Sequence, residues 1–121
     1  MDYKYEVIFC IVNEGFSGAV MDAARAAGAT GGTITRSRGT ANAEVEKTFG
    51  ITVSSQKELV MILVDAAKRN RILHALYSAV GLGTPGQGIA FAMPVDEAVG
   101  VFREKESGGD AQKEDGGSGE D

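Results

Sequence analysis

The stretch GLGTPGQGIAF, residues 81–91, holds a literal GxGxxG at Gly81, Gly83 and Gly86. Glycines at that spacing let backbone approach a phosphate closely and present N–H groups to its oxygens. Glycine is abundant here, at 17 of 121 residues, so the spacing alone decides nothing. The elements on either side of the loop decide it. Other chemistry-bearing residues are sparse. Cys10 is the only cysteine and His74 the only histidine, too few to complete a tetrahedral zinc site of the usual kind. Asp96 and Glu97 are adjacent carboxylates, which do not by themselves form an active site, and no nucleophile–base pair stands out. The histidine and cysteine counts therefore argue against a metal centre, and the sequence argues against an enzyme.

The flanking pattern predicts two similar halves. Tyr5 to Val12, YEVIFCIV, reads as a strand, and Asn13 to Gly28 as a helix with Phe16, Val20, Met21, Ala24 and Ala27 at helical spacing. Gly28 is a suitable C-terminal stop. GGTITRSRG is a second strand in which Thr33, Thr35 and Ser37 alternate with Ile34, Arg36 and Arg38. Residues 40–55 read as a loop. Lys57 to Asp65 is a third strand, Asp65 is placed to cap the following helix, and that helix runs to about Val80. Ile89 to Val95 is the last strand. The order is βαββαβ, an α+β ferredoxin-like fold with a four-stranded antiparallel sheet and two helices on one face. A helix thus precedes the glycine loop and a strand follows it, the reverse of the dinucleotide fingerprint. No GKS or GKT is present. A tight helix-to-strand turn also accounts for the glycines and stays open at this point.

Charge is concentrated in the tail. Residues 104–121 hold seven acidic and two basic side chains, which is the whole net charge of −5, while residues 1–103 hold ten of each sign. The tail is rich in Gly, Ser and charge and has no apolar periodicity, so it is expected to be disordered, leaving one domain over residues 1–103. There is no basic stripe with interleaved aromatics, which argues against a nucleic-acid partner. No run is long enough to insert in a membrane, and MDYKYEVIF lacks the basic start of a signal peptide. With a single cysteine, the expected location is cytoplasmic.

The strands carry more apolar residues than one buried face explains. Val7–Val12 and Leu59–Val64 are apolar on both faces, whereas a half-covered antiparallel strand alternates. Each apolar side chain removed from water contributes about 1.5–3 kcal/mol. The face away from the helices is therefore expected to pack on further copies of the chain.

Over about residues 5–101 the sequence resembles the PII signal-transduction proteins. GGTITRSRGT is similar to the segment leading into that family's T-loop. VGLGTPGQGIAFAMPVDEAVGV is similar to its B-loop and last strand, with Gly86, Gly88, Phe91 and Pro94 to Glu97 in matching order. The resemblance implies a T-loop over about 40–55 and a B-loop over about 81–88. It implies a homotrimer that binds an adenine nucleotide (ADP, AMP or ATP, with or without Mg²⁺) in clefts between subunits. It implies a sensor rather than an enzyme, with no required cofactor, whose T-loop docks on a membrane transporter or metabolic enzyme. The nucleotide-binding positions it implies are Thr33, Gly39, Val64, Gly86, Gln87 and Gly88. On that footing, Gly88→Val is expected to remove nucleotide binding and spare the assembly.

The sequence departs from the family where relatives hold phosphate. Ile89 stands where they have a lysine, Gly100 and Phe102 where they have arginines, and Ala41 and Asn42 where they have a basic residue and a glutamine. Each lost charge-assisted contact removes about 1.5–3 kcal/mol. Arg36 and Arg38 lie on one face of their strand immediately before the loop and are the available substitutes; a solvated strand face is their other reading. Lys47, Phe49 and Ile51 are the expected partner contacts within the loop, with packing back on the assembly as the alternative. The loop contains no tyrosine for covalent modification.

Overall fold

The computed structural model describes residues 3–40, 47 and 55–101. Four strands and two helices follow the expected order: β1 (Tyr5–Asn13), α1 (Ser17–Ala26), β2 (Thr33–Arg38), β3 (Gln56–Asp65), α2 (Arg69–Val80) and β4 (Ile89–Val95). All pairings are antiparallel and the sheet order is β2-β3-β1-β4. This is the ferredoxin-like arrangement. The chain outside the described residues includes Phe49, Ile51, Ala41, Asn42, Phe102 and the whole acidic tail.

Periodicity explains which side of each strand is covered. Ile8, Cys10 and Val12 of β1, with Val60, Ile62 and Val64 of β3, point toward the helices and are buried. They meet Val20, Met21 and Ala24 of α1 and Ile72, Leu76 and Val80 of α2. On β4 the same side carries the small Ala90 and Ala92, aligned with Cys10 and Ile8, and Pro94, aligned with Glu6. Burial pushes the Cys10 thiol up to about 11, so it stays protonated at neutral pH. At the far end of the core, the buried Glu6 carboxylate accepts a 2.6 Å bond from Arg69 at the start of α2. Glu6 is the buried partner and Arg69 is partly open to water, so removing Arg69, which leaves a buried carboxylate unpaired, costs more than removing Glu6.

The helices start later than the apolar spacing suggests. Residues 13–16 form a turn, closed by the Phe16 amide donating to the Asn13 carbonyl and by Gly15 at φ +98°, and α1 begins only at Ser17. Gly28, at φ +115°, ends it as expected. Asp65 makes no capping bond; a 3₁₀ turn, Ala66–Lys68, separates it from α2.

Among the described residues nothing covers the opposite face of the sheet. Val7, Phe9 and Ile11 lie in register with Leu63, Met61 and Leu59 on one side and with Met93, Phe91 and Ile89 on the other. Phe9 and Phe91 stack with ring centroids 5.4 Å apart. Even so, Ile89 is 61 % exposed, Met93 47 % and Phe91 44 %. An apolar patch of that extent marks an interaction surface.

Candidate functional site

One end of the sheet gathers the chemistry. There β1 and β2 finish, β3 and β4 begin, and the glycine loop returns from α2 to β4. The loop folds on itself through backbone bonds. Gly81 N–H donates to Tyr77 O, Thr84 N–H to Gly81 O, Gln87 N–H to Thr84 O and Gly88 N–H to Val80 O. The Thr84 hydroxyl adds a 2.7 Å bond to the Gly81 carbonyl.

The glycines are required for reasons other than those the sequence suggests. At Gly88 a Cβ would lie 2.7 Å from the Val80 carbonyl oxygen and 2.8 Å from Val12 Cγ1; at Gly81 it would lie 2.5 Å from the Tyr77 oxygen. Those positions are small because their own chain crowds them. The left-handed conformation falls at Gly83, φ +99° with open space around it, and at Gln87, φ +47°. Gln87 is the one described non-glycine residue with positive φ. Of the amides at 86–88, those of Gln87 and Gly88 already donate internally, so the segment is not an open ring of donors awaiting an anion. Gly88→Val therefore probes the fold before it probes any ligand, a correction to the sequence expectation.

Asn13 fastens this loop to the sheet. Its amide nitrogen donates to Pro85 O at 2.9 Å, its backbone N–H donates to Gly86 O, and its Oδ1 accepts from Lys57 Nζ at 2.7 Å. The Lys57 side chain also packs beside Gly39, whose N–H donates to Ser55 O. The root of the 40–55 segment and the glycine loop are thus joined through one asparagine. Sequence reasoning did not single out Asn13 or Lys57, because 44 residues separate them. The available signal was a polar residue closing an otherwise apolar strand.

Two cations flank this end on the helix side of β2. Arg36 lies 3.6 Å from the Glu14 carboxylate, with both side chains well exposed. Arg38 is exposed and has no hydrogen-bond or ion-pair partner among the described residues. Glu58, in register with Arg36, points at the start of α1 and accepts from the Gly15 and Ser17 amides at 3.2 and 3.0 Å. Desolvation raises its pKa, but bonds from the Ser17 side chain and amide, the Gly15 amide and the field of Arg36 outweigh it, holding the carboxyl below its ordinary value. A carboxyl depressed in the folded state stabilises at pH values above its unfolded pKa of about 4.3. That contribution is lost as pH falls through the folded value. Glu58→Gln is accordingly expected to be less stable than the parent at neutral pH, with the difference closing below about pH 4 in denaturant titrations. A constant difference across that range would show that the charge is not what counts.

The other expected site residues are dispersed. Lys47 is exposed, while Phe49 and Ile51 lie outside the described residues. Thr33 is on the uncovered face, in register with Met61 at mid-sheet. Val64 is 4 % exposed, turned into the core at the opposite end of β3. Arg36, Arg38, Gly39 and residues 86–88 share one end; Thr33 and Val64 do not join them within one chain. Among the described residues no group of three or more His, Cys, Asp or Glu is placed to hold a metal, and no helix is long and apolar enough to cross a membrane.

The architecture defines a class of small α+β domain, a split βαββαβ unit with a glycine-lined turn leading into its edge strand. The family model of nitrogen regulatory protein P-II matches residues 6–106, and the chain belongs to that family. PII proteins are signalling regulators. No curated protein sequence matches the chain significantly. Among solved structures, the chain is similar to Arabidopsis thaliana PII bound to citrate, with a TM-score of 0.57 and 21 % identity, over 78 % of this chain and 77 % of that one. It is similar to a putative PII-like signalling protein from Thermus thermophilus, with a TM-score of 0.58 and 20 % identity, over 78 % and 90 % of the two chains. The B. subtilis GlnK–ATP complex matches with a TM-score of 0.59 and 14 % identity, over 77 % and 84 %. At these identities the likeness is one of fold.

Proposed function

We propose that the chain is a trimeric PII-like regulator that binds an adenine nucleotide between subunits and controls a partner transporter or metabolic enzyme through its 40–55 loop. The observation that carries this reading is the convergence of Gly39, Lys57, Arg36 and Arg38 with the glycine loop at one end of the sheet. The uncovered apolar face supplies the reason to assemble. Thr33 and Val64 are further proposed nucleotide-binding positions, and Thr33 stands on the uncovered face, where a neighbouring subunit would lie. The ligand is ADP, AMP or ATP, with or without Mg²⁺, acting as a signal and not as a cofactor. Solved relatives bound to ATP and to citrate are consistent with an anionic ligand. The protein works in the cytoplasm, recruited to the inner face of the membrane by its transporter partner, with no nucleic acid involved and no insertion of its own. Lys47, Phe49 and Ile51 are the proposed partner contacts.

Calorimetric titration with each nucleotide tests the reading. Arg38→Ala is expected to weaken nucleotide binding about 10- to 100-fold, the loss of one charge-assisted contact. Arg36→Ala is expected to do less, because Glu14 already offsets that charge. No heat with any nucleotide would favour a second reading, a PII-fold trimer that acts by protein contacts alone. The observation on its side is the exposed, uncharged Ile89 at the start of β4.

A further inference from the structure

We propose that a cavity between α2 and β4, on the helix side of the sheet, is a binding site for a small, uncharged, apolar molecule. Side-chain size makes the space. β1 and β3 meet the helices with Ile8, Val12, Val60 and Ile62, whereas β4 meets α2 with the small Ala90, aligned with the slim Cys10. A cavity of about 280 Å³ is left there, walled by Leu73 and Leu76 of α2 and open to water on one side. Tyr77, Leu82 and Ile89 also line it and are 69 %, 62 % and 61 % exposed, so they stand at its mouth.

The lining selects the occupant. Among the described residues no charged side chain borders the cavity; Cys10 brings a protonated thiol and Tyr77 a hydroxyl. Water is held in a cavity by about two to four polar partners, which this lining does not supply. A carboxylate or phosphate would give up its hydration with no cation to replace it. An apolar cavity of roughly 150 Å³ already holds benzene, and drug-sized ligands take about 300–1,000 Å³. The space here suits one or two rings or a short hydrocarbon chain.

The uncovered face of the sheet is a different surface. Phe9, Phe91 and Met93 lie on that face, while Cys10 and Ala90 lie on the helix side, so copies meeting there do not reach the cavity's interior. The cavity backs instead on the glycine loop. Val80, Gly81 and Gly88 line it, and at that point Gly88 N–H donates to Val80 O and Gly81 bridges to Gly88. A ligand here bears on both ends of the loop without competing for Arg36, Arg38 or Lys57, none of which lines the cavity.

NMR titration of the full chain with benzene tests the proposal, with benzoate and AMP as companions. Benzene is expected to give saturable shifts with a Kd of about 1 mM or tighter. Its protons are expected to show NOEs to the methyls of Leu73, Leu76 and Leu82. Benzoate is expected to bind at least about 10-fold more weakly, because its charge loses water and gains no partner. Ala90→Leu, which fills the space from β4, is expected to weaken benzene binding at least about 10-fold. The NOEs locate the probe whether or not that variant folds. Shifts that do not saturate, NOEs to Ile11, Met61 or Met93 instead, equal binding of benzoate, or undiminished binding to folded Ala90→Leu would each overturn the proposal. So would displacement of benzene by AMP, which would make the cavity the base pocket of the nucleotide site.

Discussion

Phe91→Glu is expected to convert the protein from an assembly to a monomer at micromolar concentration, read by sedimentation. Phe91 stacks on Phe9 at the centre of a face where Ile11, Met61, Leu63 and Met93 also stand, and in the single chain it is still substantially open to water. Burying such a ring on association contributes about 1.5–3 kcal/mol for each copy. Replacing it by a carboxylate removes that gain and places a charge where several kcal/mol of hydration would have to be surrendered. In a symmetric trimer the change is repeated at every protomer. The folded single chain is spared, because the core lies on the other side of the sheet. Unaltered sedimentation would mean that the apolar face is covered by something other than a second copy, and the shared-cleft reading would go with it.

The second large effect is at Gly88. Valine there must place Cβ within 3 Å of a backbone oxygen and a core methyl, neither of which is the free end of a flexible side chain. Relief requires separating β4 from the end of α2, so a loss of about 3 kcal/mol or more in denaturant unfolding is expected. Gly83→Ala offers the control. Its Cβ meets nothing, and the cost is confined to a left-handed backbone, of order 1 kcal/mol. If the two variants unfolded alike, the crowding described at Gly88 would be wrong.

Much of this architecture was legible in the sequence. Six apolar residues in succession at Val7–Val12 and again at Leu59–Val64 announced central strands with two apolar faces, and register then fixed which residues share each face. The alternation of Thr33, Thr35 and Ser37 with Ile34, Arg36 and Arg38 marked β2, and Gly28 marked the end of α1. What could not be read was local competition. Residues 13–16 prefer a turn to a first helical turn because Gly15 takes a positive φ and Asn13 is occupied with the loop. Asp65 has the right side chain for a cap, but the chain first makes a 3₁₀ turn. The candidate site was legible as a glycine-rich segment and two arginines. The Asn13–Lys57 connection was not, since it depends on strand register, and the reason for each glycine required knowing which atoms stand beside it.

Because a single asparagine serves both Lys57 and Pro85, the two loops cannot be adjusted independently. Any charged visitor that draws the lysine ammonium toward itself takes a donor from Asn13 and so changes what holds the proline carbonyl in place. The asparagine is in effect a hinge pin shared by two doors. A change at that one side chain would be felt at Lys57 and at Pro85 together, without any helix having to move.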